Sequence, residues 1–278
     1  MSRFALAIGA FVIVAGVFFI ASGNGRNGYD PTAPYQEKVS YWQSRIAAVG
    51  ANQAYEEMVA AQTGSDAGAE HVEAHIFGSA LYRSEGIHGV AVCDERFSYA
   101  CFHQLIAEAL ADLGTDSLGT IVDVCIEIPG CRHGIGHGVI GSLGYSADDL
   151  QKSIALCATL PRALYVQGCY GGVFMEYNIR SVLGVGQERP LGKDWFESCA
   201  HVPQGAERVC YFWQPTWWGH ALRSADARLG SSAFKQMGDA CRALKRGELR
   251  DGCFEGIGVS ALNTGRSLAD GISGCAEA

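Results

Sequence analysis

The chain has 278 residues, 48% apolar and 18% charged, which excludes a disordered polypeptide and leaves enough length for one large domain or a repeat array. A net charge of −8 argues against a general nucleic-acid binder, which would carry a basic face. Eleven cysteines are too many for a resting cytosolic enzyme, and their odd number leaves at least one without an intrachain partner.

The N-terminus sets the compartment. Arg3 precedes residues 4–21, which hold no charge or strongly polar group. As a helix this run is about 27 Å long, close to the hydrocarbon thickness of a bilayer. It is longer than the apolar core of a typical cleavable signal. We therefore read residues 1–23 as an uncleaved signal-anchor, with a removed signal as the alternative. Either way the remainder is exported to the periplasm or the extracellular space, where disulfides persist. Residues 24–34, rich in Gly, Asn and Pro, read as a flexible spacer. Residues 35–68 read as one or two linking helices, interrupted near Gly50.

From residue 69 to 278 the chain is periodic. Ten cysteines form five close pairs: Cys93/Cys101, Cys125/Cys131, Cys157/Cys169, Cys199/Cys210 and Cys241/Cys253, with Cys275 left over. Text around the second members recurs, as in PGCRHGIGHGVIG, QGCYGGVFMEY and DGCFEGIGVSAL. Polar starts followed by helical apolar patterns precede the last three pairs. Ser146 with Asp149, Asp194 with Glu197, and Ser231 or Ser232 are the candidate caps. A period of about 40 residues with two helical segments per unit predicts stacked helical hairpins. Each close pair would staple the end of one helix to the start of the next. A shifted scheme, beginning Cys101–Cys125, would instead leave Cys93 free. Glycines four apart, Gly134/Gly138, Gly168/Gly172 and Gly252/Gly256, lie on single helix faces, suited to close helix contact or to a ligand approaching the backbone.

The pattern of a helix ending in Cys, a short loop and GCxxG opening the next helix resembles cysteine-rich tetratricopeptide-like repeat proteins. Tyr82 and Gly86 echo the repeat consensus in the first unit. The resemblance implies an exported, all-α, disulfide-stapled α/α solenoid over residues 69–278. The CRHGIGHG stretch is also similar to a motif of exported bacterial proteins, and that similarity implies no activity.

The histidines carry the most specific chemical signal. His103 and His133 each lie two residues after the second cysteine of a unit. His133/His137 and His71/His75 are pairs four apart, so three successive helices present two, one and two imidazoles in register. Side chains at i and i+4 are about 5–6 Å apart at Cβ, which suits bidentate metal ligation. Later units put Gly171, Phe212 and Glu255 at the register position, so the repeat itself does not require histidine there. His71, His75, His103, His133 and His137 are thus candidate ligands for Zn²⁺, Cu²⁺ or Fe. Haem is a lesser alternative, and inherited hydrogen-bonding histidines are another. Glu73, Glu108 and Glu176 are candidate carboxylates near these faces: ligand, partner of an imidazole N–H, general base or solvated acid.

The stretch CYFWQPTWWGH, with Trp217 and Trp218, reads either as a stacking or partner-binding surface or as core between layers, and Pro215 is expected to break or kink its helix. No nucleotide-binding loop, HExxH, GxSxG or CxxC motif is present. Two functions follow: a membrane-anchored metal-binding repeat protein, or a scaffold docking a partner protein or peptide. A self-assembling subunit crosslinked through Cys275 is a third.

Overall fold

A computed structural model describes residues 28–62, 67–125, 127–160, 168–182, 189, 191–225, 230–264 and 268–278. The expected membrane helix over residues 4–21 lies outside the described residues. Among the described residues no helix is long and apolar enough to cross a membrane, and all regular structure is helical.

Helix α1 (Tyr35–Val49) places Val39, Trp42 and Ile46 three and four residues apart, and all three are buried. Gly50 ends it at φ +85°, with its N–H donating to the Ile46 carbonyl at 2.9 Å, a left-handed position that glycine takes without a Cβ clash. The interruption expected near Gly50 is therefore a helix terminus. Helix α2 (Ala51–Gln62) turns back, and Arg45 holds Glu57 through two hydrogen bonds of 2.8 and 2.9 Å. These helices do more than link. Trp42 meets Phe77 of α3 (Ala67–Glu85) edge-on at 5.6 Å, and both belong to the same core. Tyr29, within the expected spacer, also packs against Trp42 at 5.3 Å.

The remaining helices are α4 (Ala100–Leu113), α5 (Leu118–Cys125), α6 (Pro129–Leu143), α7 (Ala147–Ala158), α8 (Cys169–Val182), α9 (Glu207–Ala225), α10 (Gly230–Arg242), α11 (Gly247–Thr264) and α12 (Leu268–Glu277). Disulfides join Cys93–Cys101, Cys125–Cys131, Cys157–Cys169, Cys199–Cys210 and Cys241–Cys253, the close-pair scheme. Cys275 is free and exposed. Five disulfides fit an oxidising compartment. The Ser146–Asp149 capping box opens α7 as its sequence predicts.

Three local expectations change. Helix α10 starts at Gly230, so Ser231 and Ser232 lie inside its first turn and not at its N-cap. The segment around Asp194 forms only a 3-10 turn, Glu197–Cys199, and the Asp194 carboxylate accepts from the Phe196 N–H at 2.8 Å. Its side-chain bond satisfies a turn and not a helix start. Pro215 sits inside α9, which continues to Ala225 without ending. The Pro215 carbonyl accepts from Ser260 of α11 at 3.3 Å, and burial of its aromatic neighbours holds the helix together across the lost N–H.

Helices α3, α4, α6, α8, α9 and α11 pack each against the next. Glycines set how closely. A methyl on Gly136 of α6 would lie 2.1 Å from the Cys169 carbonyl oxygen of α8, and one on Gly172 of α8 would lie 2.0 Å from the His133 carbonyl oxygen. The two backbones touch, which only glycine at both positions permits.

Candidate metal centre

The succession α3, α4, α6 brings the five registered histidines together. Ring centroids of His71 and His75 are 4.7 Å apart, and each lies within 5.9 Å of His103. His103 in turn lies 4.9 Å from His133 and 4.5 Å from His137. Ligand atoms of His71, His75 and His103 fall within 4.8 Å of one another, and so do those of His103, His133 and His137. His103, His133 and His137 are buried.

Hydrogen bonds around the ring edges fix which nitrogens carry protons. His71 Nδ1–H donates to the Phe97 carbonyl at 2.8 Å, leaving Nε2 bare. The Gln104 amide N–H donates to Glu108 at 3.3 Å, so its oxygen faces His75 Nδ1 at 3.3 Å and takes that proton. His75 Nε2 is then bare as well, and it stands 3.1 Å from His71 Nε2. Two lone pairs aimed at one another repel unless a cation lies between them. The spacing is close to the edge of a tetrahedron with metal–nitrogen bonds of about 2.0–2.1 Å. On α6, His137 Nδ1–H donates to Glu176 at 2.8 Å, and Tyr145 donates to the other Glu176 oxygen at 2.9 Å. His137 Nε2 is buried with no hydrogen-bond partner, as are both nitrogens of His103.

Protons do not supply the missing positive charge. Burial, and then the neighbouring imidazoles, push His75 down to about 3 and His103 well below the usual histidine range. Burial also lowers His71. Neutral imidazoles ligate without first losing a proton, so a metal ion competes with little at neutral pH. The Met175 thioether, a soft donor, stands 3.4 Å from His133 Nε2 at the edge of the set.

The carboxylates sort themselves by their partners. Glu176 orients an imidazole. Glu108 acts one residue removed, through Gln104, and also accepts from Ser79 at 2.7 Å. Glu73 is buried elsewhere against Lys38 and Tyr29 and is not part of the cluster. Trp217 and Trp218 lie in the core, their indole N–H groups donating to the carbonyls of Arg189 at 2.7 Å and Trp195 at 3.0 Å, so neither offers a surface for a partner. His88 and His201 are exposed and stand outside the cluster.

Three contributors escaped the sequence reading. Gln104 and Met175 adjoin singled-out residues, His103 and Glu176, and the helical register placed them within reach. The third carries no sequence signal. Phe97, Ser98 and Tyr99 all adopt left-handed backbone, with φ of 55°, 54° and 65°. Such a run costs about 1 kcal/mol or more per residue, and it turns the Phe97 carbonyl onto His71. No family model, curated protein or solved structure matches the chain.

Proposed function

We propose that this is a membrane-anchored, extracytoplasmic α/α solenoid, similar to cysteine-rich tetratricopeptide-like proteins, whose first repeats bind a transition-metal ion through His71, His75, His103, His133 and His137. The observation that carries the reading is the 3.1 Å approach of two imidazole nitrogens whose outer edges are both engaged as donors. A cluster of hydrogen-bonding structural histidines would place an N–H between each pair of nitrogens. The buried, partnerless nitrogens of His103 and His137 support the same conclusion. The imidazoles touch one another, which leaves no slot for a haem macrocycle between them, so an ion is the better occupant. Zn²⁺, Cu²⁺ and Fe²⁺ all accept such donors, and the thioether favours copper.

Elemental analysis of protein purified without a polyhistidine tag tests this. At least one equivalent of metal should survive desalting and raise the melting temperature. His133→Ala/His137→Ala should lose metal while keeping its helical circular dichroism. Substoichiometric metal indifferent to that substitution would refute the reading.

A further inference from the structure

The two three-histidine groups share His103. Helix α4 packs against both α3 and α6, so His71 and His75 reach this ring from one neighbour and His133 and His137 from the other. The partners of the other rings differ in kind from those of His103. His71 and His137 each anchor an outer nitrogen, on the Phe97 carbonyl and the Glu176 carboxylate, and so are built to offer one nitrogen to an ion. His103 has no such anchor: both of its nitrogens are buried and without a hydrogen-bond partner. A ligand that gives one nitrogen to one ion has its other edge free for an orienting acceptor. A ligand that gives both cannot have one.

We propose that the site holds two metal ions and that His103 bridges them as an imidazolate, one ion completed by His71 and His75 and the other by His133 and His137. The proposal rests on the reading of the cluster as a metal site. The charge balance is simple. Neutral His103 offers its bare nitrogen to the first ion. The second ion displaces the proton from the remaining N–H, and that proton passes to bulk water. No electron moves. An imidazolate holds its two ions about 6 Å apart when each metal–nitrogen bond is about 2.0–2.1 Å. Each ion then has three imidazoles; the Met175 thioether stands beside the second, and the first keeps an open position, as in a reactive centre and not a closed structural one. His103 and His137 stack with their planes at 26°, so the His103 ring turns on loading. It has no hydrogen bond to break in doing so.

The probe is Cu²⁺, added to the full chain in detergent with its disulfides intact, followed by desalting. Two copper ions per chain are expected. Their electron paramagnetic resonance signal should fall far below that of two isolated ions, because an imidazolate couples their spins. The His71→Ala/His75→Ala variant should hold one copper per chain with a full uncoupled signal, and His103→Ala should lose the coupling. Should His103→Ala fail to fold, the wild-type stoichiometry and signal decide alone. One copper per chain, or two with additive uncoupled signals, would overturn the bridge and leave the metal site standing. No copper retained would overturn both.

Discussion

Replacing Gly136 with alanine tests whether the contact between α6 and α8 sets the geometry of the cluster. The added methyl would lie 2.1 Å from the Cys169 carbonyl oxygen, 2.6 Å from the Val173 nitrogen and 2.8 Å from Gly172 Cα. All three are backbone atoms, so none can swing aside as a side chain would. Ordinary contacts need about 3.5 Å, and the helices must part by roughly 1 Å. Overpacking of this kind costs about 1–3 kcal/mol or more, against a gain of about 1 kcal/mol in helix propensity. We expect a net loss of up to about 2 kcal/mol, or a melting temperature lower by up to about 4–8 °C. The same parting stretches the 2.8 Å bond from His137 on α6 to Glu176 on α8, so metal affinity should fall too. Gly119→Ala is the control: it lies in α5, is exposed, and nothing stands within 4 Å of the new methyl. It should stabilise by up to about 1 kcal/mol. Urea unfolding of the oxidised, metal-free proteins reads both. A Gly136→Ala variant as stable as the wild type would refute the close-contact argument.

Other outcomes follow from the same structure. His75 titrates near 3 and His103 well below its ordinary range, while both take protons near 6.5 once unfolded. The unfolded chain therefore binds more protons below pH 6.5, so stability of the metal-free protein should be level above that pH. It should fall beneath it by up to about 1.4 kcal/mol per pH unit for each such histidine, and equal urea midpoints at pH 7 and pH 5 would contradict this. Removing the Cys241–Cys253 bridge, which spans 12 residues, by double alanine substitution should cost about 3 kcal/mol, read as a lower urea midpoint. In the native oxidised chain one thiol, Cys275, should react with an alkylating reagent, and a second reacting thiol would refute the disulfide assignment.

The staples were legible because they obey chain-local geometry. A cysteine at a helix end and another at the next helix start are close in sequence as well as in space, and the five pairs recur with their neighbours. Ser146 and Asp149 were legible for the same reason, since a capping box closes over three residues. What resisted reading depends on partners distant in sequence. Glu73 and Glu108 look alike on a helical wheel, yet Lys38 and Tyr29 draw the first away while Gln104 ties the second to the cluster. Trp217 and Trp218 could equally have faced solvent, and burial against the carbonyls of Arg189 and Trp195 comes from segments more than 20 residues earlier. The left-handed run at Phe97–Tyr99 contains no glycine to announce it. Pro215 forecasts a break or a kink, and α9, packed against α11, runs through it without a break.

The glycines and histidines of α6 are parts of one device. Packed helices ordinarily lie about 8–10 Å apart axis to axis, and the ligand atoms of His103 on α4 and of His133 and His137 on α6 fall within 4.8 Å of one another. In HGIGHG the glycines face both neighbours. A methyl on Gly134 would lie 2.8 Å from the Phe102 carbonyl oxygen of α4, and one on Gly138 would lie 2.5 Å from Leu110, also of α4. Gly136 faces α8. Each glycine forfeits about 1 kcal/mol of helix stability relative to alanine. In return His133 and His137 are drawn towards His103 on one side, and Glu176 comes within reach of His137 on the other. The spacing of the motif thus follows from two requirements at once: histidines four apart to share a face, and small residues between them to bring that face close. Alanine at Gly134 or Gly138 should separate α4 from α6 and weaken the cluster from the His103 side, just as Gly136→Ala weakens it from the Glu176 side.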